Sequence, residues 1–557
     1  MNEFVTYLDQ YNVLSPNHAK IYDEYTDSKA SFQFKIKTNI EDFIIKLFDK
    51  NPRSLILTGN AGDGKTRLCR TVYETFSGQT LTEWPECGIV DVPYENGCIR
   101  IVKDLSELKE DIIFKELHSL QDQVLSDHSN RVYYLIAANE GKLTKSLISH
   151  PELQQLSRMV SNRFSSHEHN DDQLHLINLQ DVTSSIYAKR ILDEWNKNEN
   201  WNACKKCPKQ TQCIIYLNHV RTSVDQIKER LVEQYRLLDC LGIHVTMREI
   251  LIHISYVLTG GLTCQDILNA SYKNLEVLAN YVYYENFYGL HMPDVSSGEL
   301  GAIRHFRYFD PGNTSVSIVD DFILNGDMSG DEQIESLHSQ IFNNDLDMLF
   351  GFYKKHINLY RTHHREDEQK FLFNYMPRFR RKYFFEIGPQ VNDTRELLIP
   401  YRYFYRYLKA LNDKQTQYNI RKDLITGLNR IFSKRLVSKR ETQLLVVNEH
   451  LMIHQAISLS SLKIIEMKGR DDIDFLPSKF ILQVNGCNLE VQLPVFEYLL
   501  RIANGGLFVT LKQDVEILIN TFKNELIKNS DVDEYQLTVL ALNNETGEFV
   551  PHIIDLP

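Results

Sequence analysis

The chain has 557 residues, 43% apolar and 24% charged, with a formal charge of −12; that length exceeds one hydrophobic core and predicts about three or four domains of ordinary globular composition. The negative balance argues against a surface that coats nucleic acid throughout, while leaving room for a local basic groove or a partner that holds the nucleic acid. No run of about 18 apolar residues occurs, so no membrane span is expected; the first residues lack a basic start followed by an apolar stretch, and nine cysteines at irregular spacing suit a reducing compartment, the cytoplasm.

After a helical lead-in over residues 1–50, Ser54–Thr58 is apolar and partly β-branched, as a buried parallel strand should be. It runs into Gly59, Asn60, Ala61, Gly62, Asp63, Gly64, Lys65 and Thr66, which match G-x-x-x-x-G-K-[ST], and Arg67 continues into a helix. The glycines let the backbone wrap around phosphate oxygens. Lys65 supplies charge for the β- and γ-phosphates, the Thr66 hydroxyl binds Mg²⁺, and the helix N-terminus adds its positive end. ATP with Mg²⁺ is the expected ligand, held by Gly59–Arg67.

Two later segments compete for the rest of such a site. Cys98–Val102 ends in Asp104, where a carboxylate for Mg²⁺ belongs; the following residue is Leu105, and the nearest glutamate is Glu107. Val132–Ala138 ends in Asn139 and Glu140, which suit a residue that orients the attacking water and a base that activates it. The rival assignment makes this second strand the metal strand, with Asn in place of Asp. A further strand, Leu174–Leu179, completes an alternation of strands and helices that predicts a parallel α/β sheet over residues 51–190, with the site at the carboxyl ends of the strands.

The Asn-Ala-Gly-Asp loop, the Val102–Ser106 stretch and the Asn-Glu-Gly after the second strand resemble the DptF-like P-loop ATPases of bacterial anti-phage defence, of the phosphorothioation-dependent restriction type. The resemblance implies an AAA-like ATPase that powers or gates a separate effector, such as a nuclease or helicase subunit acting on DNA, within a homo- or hetero-oligomer.

Cys204, Cys207 and Cys213, with His219 six residues on, give C-x2-C-x5-C-x5-H. That spacing fits a closed, structural tetrahedral zinc site. An iron–sulfur cluster takes similar ligands, and three reduced thiols in a helical linker fit the spacing too. The three cysteines also resemble a short insert of the DptF-like ATPases.

The stretch Val224–Thr259 has helical periodicity, stopped by Gly260-Gly261, and residues 191–330 read as a helical lid. Arg248 opens a helix there and is the candidate sensor of the γ-phosphate. Residues 331–436 read as a helical middle region. Within it, Arg378, Arg380, Arg381 and Lys382 interleave with Phe379, Tyr383, Phe384 and Phe385, which suits a nucleic-acid groove or a protein interface. From residue 437 the period becomes two: Thr442–Val447 is a strand, Asn485-Gly486 signals a hairpin, Val495–Ala503 is a helix, and Gln536–Leu542 pairs with Glu548–Ile553. This predicts a β-rich C-terminal module for assembly.

Two functions compete. One is an ATPase subunit that couples hydrolysis to DNA sensing or to an effector. The other is a nucleotide-gated scaffold that binds ATP with little turnover, motivated by the missing glutamate after Asp104.

Overall fold

The computed structural model describes residues 1–13, 15, 36–94, 97–126, 132–166, 174–292, 301–363, 366–388, 392–439, 443–447, 452–456, 461–506, 513–529 and 535–555. The chain divides into two compact units: residues 1–236, 244–398 and 470–475 form the first, and residues 237–243, 399–469 and 476–557 the second.

The first unit is α/β and opens with α1 (Glu3–Leu8). Its sheet contains β1 (Ser54–Thr58), β2 (Ile89–Tyr94), β3 (Gly97–Val102), β4 (Val132–Ala138) and β5 (Leu174–Asn178), in the order β2-β3-β4-β1-β5. β1 runs parallel to both β4 and β5, and β3 runs parallel to β4. The sheet is not wholly parallel as expected, because β2 pairs antiparallel with β3. The physical reason is the connection between Tyr94 and Gly97, too short for the crossover that a parallel pair needs. All five residues of β1 are buried, since it has a strand on each side and helices on both faces.

On one face, Ile56, Val102, Ile136 and Leu176 pack against Ile113 and Leu117 of α4 (Glu110–Leu125), Leu143 of α5 (Glu140–Ser149), and Leu156 and Val160 of α6 (Gln154–Ser166). Each such side chain contributes about 1.5–3 kcal/mol by burial, and Ile56→Ala would cost roughly 2–5 kcal/mol. The other face carries α2 (Asn39–Lys50) and α3 (Lys65–Ser77), joined through Phe48, Phe76, Tyr94 and Tyr133 in successive edge-to-face contacts.

The helical stretch expected at Val224–Thr259 forms as two helices, Asp225–Cys240 and Met247–Thr259, with Gly260 and Gly261 ending the second at φ 62° and 75°. Met247–Asn269 has the length and apolarity to cross a membrane, yet 61% of its most apolar window lies inside the fold.

The basic–aromatic stretch is not a groove. It lies on the helix Glu366–Glu386, where Arg378, Arg381 and Lys382 are buried. Lys382 Nζ donates to Asp347 at 2.5 Å, and Arg381 donates to Asp310 at 2.8 Å and Glu285 at 2.9 Å. Arg307, on the helix Gly301–Tyr308, donates to the carbonyls of Tyr288 and Gly289.

The second unit mixes helices with small antiparallel sheets. β8 (Leu462–Glu466), β9 (Phe480–Val484) and β10 (Cys487–Val491) form one, while β6 (Gln443–Val447) pairs with β7 (Met452–Ala456) and β11 (Gln536–Leu542) with β12 (Phe549–Asp555). The hairpin at Asn485-Gly486 forms with φ of 48° and 83°, and the expected 495–503 helix spans Leu493–Ala503. Thr442 lies outside the described residues. The helices Lys414–Ser433 and Leu493–Ala503 pack so closely that a Cβ on Gly427 would lie 2.4 Å from the Leu499 carbonyl oxygen.

Candidate functional site

The site sits where β1 hands over to α3. Gly59, Gly62 and Gly64 adopt φ of 155°, 98° and 89°, and Gly64 is the N-cap of α3. At Gly62 the requirement is steric as well. A Cβ there would lie 3.0 Å from Arg248 Cβ and 3.2 Å from Thr246 Oγ1.

Lys65 is buried, and its Nζ donates to the carbonyls of Gly59 and Asn60, both at 2.8 Å. Burial lowers its pKa from the ordinary lysine value, opposed by the nearby carboxylates of Asp63 and Asp104. Asp63 holds the loop from within: it accepts from the Asn60 N–H at 2.6 Å and bonds His244 Nε2 at 2.8 Å. Asn60 Oδ1 in turn accepts from Gln180 beyond β5 at 3.0 Å. Ala61 and Arg67 are exposed, and Arg67 reaches Glu41 at 3.8 Å.

Asp104 follows β3, its charge partly offsetting the effect of burial on Lys65, and caps a short turn by accepting from the Ser106 N–H at 2.8 Å. Asn139 caps α5 by accepting from the Gly141 N–H at 3.0 Å. Glu140 accepts from Asn178, at the end of β5, at 3.4 Å. Glu107 pairs with Lys103 at 2.9 Å, which occupies the nearest glutamate after Asp104. Both rival strands therefore end at the same edge of the sheet, with β4 between β3 and β1.

Arg248 belongs here too. Its backbone N–H donates to the Gly62 carbonyl at 3.1 Å, and its charge bears on Lys65. The helix that carries it starts with a capping box between Thr246 and Glu249. Beside the loop lies a cavity of about 50 Å³, lined by Asp63, Gly64, Leu68, Leu179, Tyr187 and His244 among others.

Compared with protein-family models, curated proteins and solved structures, the chain matches none.

The cysteine group is arranged differently from its spacing. Cys204, Cys207 and Cys213 line one cavity, and the fourth cysteine of its wall is Cys264. His219 does not line it. Its ring stacks on Trp201 with centroids 4.3 Å apart, and Nδ1 meets Asn196 Oδ1 at 3.0 Å. The helix Ile214–Thr222 turns position 219 toward that neighbour. Among the described residues no three His, Cys, Asp or Glu side chains gather closely enough to hold a single metal ion. His244, Asn178, Gln180 and Cys264 are the site neighbours that spacing does not reveal; the Thr246-x-x-Glu249 pattern is the one signal that marks the docking helix.

Proposed function

We propose that the chain is a P-loop ATPase with an AAA-like core, the ATPase subunit of a bacterial anti-phage defence or restriction complex. The observation that carries the nucleotide reading is the strand–loop–helix itself: three positive-φ glycines ending at a helix N-terminus, with a buried lysine folded across them. Such a loop suits anion binding, because successive amides and the helix dipole favour phosphate. Thr66 and Asp104 are hard oxygen donors of the type Mg²⁺ takes together with phosphate oxygens and water, and the metal would neutralise charge on the phosphates. The defence assignment, with DNA and an effector subunit as partners, rests on the resemblance of the loop and strand-end motifs to the DptF-like ATPases. ATP turnover of the wild type against Lys65→Ala, with and without DNA, tests the reading.

The nucleotide-gated scaffold is the second reading, favoured by one observation. Leu105 follows Asp104, Glu107 is paired with Lys103, and Glu140 is left as the candidate base while held by Asn178. Under this reading ATP binds with little turnover.

A further inference from the structure

We infer that Cys204, Cys207, Cys213 and Cys264 together hold an iron–sulfur cluster, with Cys264 and not His219 as the fourth ligand. Three observations carry it, none of which depends on the nucleotide reading. First, the four cysteines line one cavity together, although Cys264 lies fifty-one positions beyond Cys213. The turns that bring them together are ordinary local structure. The Cys207 N–H donates to the Cys204 carbonyl and the Cys213 N–H to that of Gln210, while Lys209 Nζ donates to the Ala270 carbonyl at 3.2 Å and ties this loop to the end of the Cys264–Asn269 helix.

Second, the space beside the cysteines is large. Zinc bonds each thiolate at about 2.3 Å, which draws four sulfurs to within about 4 Å of one another. The described cysteines form no such tight group. Together with nine other residues they line a cavity of about 280 Å³, well above the roughly 10–15 Å³ that a single water needs. Four thiolates around a larger inorganic core are the ligand set of a cubane cluster.

Third, the sulfurs carry hydrogen bonds of the kind that tune cluster thiolates. Asn2 Nδ2 donates to Cys204 Sγ at 3.2 Å, and the backbone N–H groups of Ile215 and Tyr216 donate to Cys213.

The test is metal analysis of the full chain, produced with ample iron and purified without oxygen. The wild type should carry iron and acid-labile sulfide at about four of each per chain, with the broad visible absorbance of a cluster. Cys264→Ser should lose most of both, and His219→Ala should keep them. Wild-type protein that binds zinc instead, or that carries neither iron nor sulfide, overturns the inference. So does a cluster retained in Cys264→Ser and lost in His219→Ala. If Cys264→Ser fails to fold, Cys207→Ser takes its place as the ligand variant, and the wild-type stoichiometry with the His219→Ala comparison still decides the outcome.

Discussion

His244 Nε2 bonds Asp63 Oδ1 at 2.8 Å, joining the glycine loop to the segment that leads into the Met247–Thr259 helix. The same carboxylate accepts from the Asn60 N–H, so one side chain both shapes the loop and anchors it to the helix bearing Arg248. A hydrogen bond of this kind to a charged group is worth about 1.5–3 kcal/mol. His244→Ala should therefore weaken ATP binding by about tenfold or more, the change that 1.4 kcal/mol produces. Calorimetric titration with a non-hydrolysable ATP analogue measures it, and unchanged affinity would show that the loop keeps its shape alone.

Gly62→Ala attacks the same contact from the other side. The substitution puts a Cβ at φ 98°, 3.0 Å from Arg248 Cβ, and strain of this kind costs of order 1–3 kcal/mol. Nucleotide binding should fall steeply, with only a modest drop in melting temperature, since the strain is local. Equal affinity in a folded Gly62→Ala protein would contradict the loop geometry.

Glu140→Gln separates the ATPase from the scaffold. If Glu140 is the base, kcat should fall by about 10²–10⁴ with ATP affinity nearly unchanged, the range that general-base catalysis spans. The scaffold reading expects turnover that is low in the wild type and no lower in the variant.

The buried charge cluster gives a pH prediction. Burial alone would raise the Glu285 pKa, but hydrogen bonding from His291 and the Arg381 and Arg378 charges overcome it and hold the carboxyl at about 2, against 4.5 ordinarily. A depressed folded pKa means stability that is present in full above about pH 4.5 and lost as pH falls toward 2. The stake is about 3 kcal/mol. Urea unfolding of the wild type should weaken across that window, and Glu285→Gln should flatten the pH dependence while lowering stability at neutral pH.

Gly427→Ala tests the second unit. With the new Cβ 2.4 Å from the Leu499 carbonyl oxygen, the two helices must separate, at a cost of about 3 kcal/mol or more. Thermal melting should detect a clear loss, and an unchanged midpoint would rule out the close helix approach.

Local signals were legible from the residues alone. A β-branched apolar run before a glycine loop and Lys-Thr specifies strand, turn and helix, and Asn485-Gly486 specifies a hairpin because both positions need positive φ. Asp104 and Asn139 stand out because an apolar strand ending in a polar residue has few readings. What was not legible depends on chain segments far apart. The Asp63–His244 pair spans 181 positions, and Cys264 reaches the other cysteines only through the fold. Arg378, Arg381 and Lys382 look solvent-facing because their partners Asp310, Asp347 and Glu285 lie 31 to 96 positions away. The edge strand β2 was missed because Ile89–Tyr94 carries a proline and an aspartate, both disfavoured in strands, and tolerates them at the sheet edge.

The most direct measurement is steady-state ATP hydrolysis by the full chain with Mg²⁺, comparing wild type with Lys65→Ala. Lys65 is the buried ammonium that lies across the loop, so its removal should abolish turnover above background and remove nucleotide binding with it. Equal turnover in the two proteins would contradict the account.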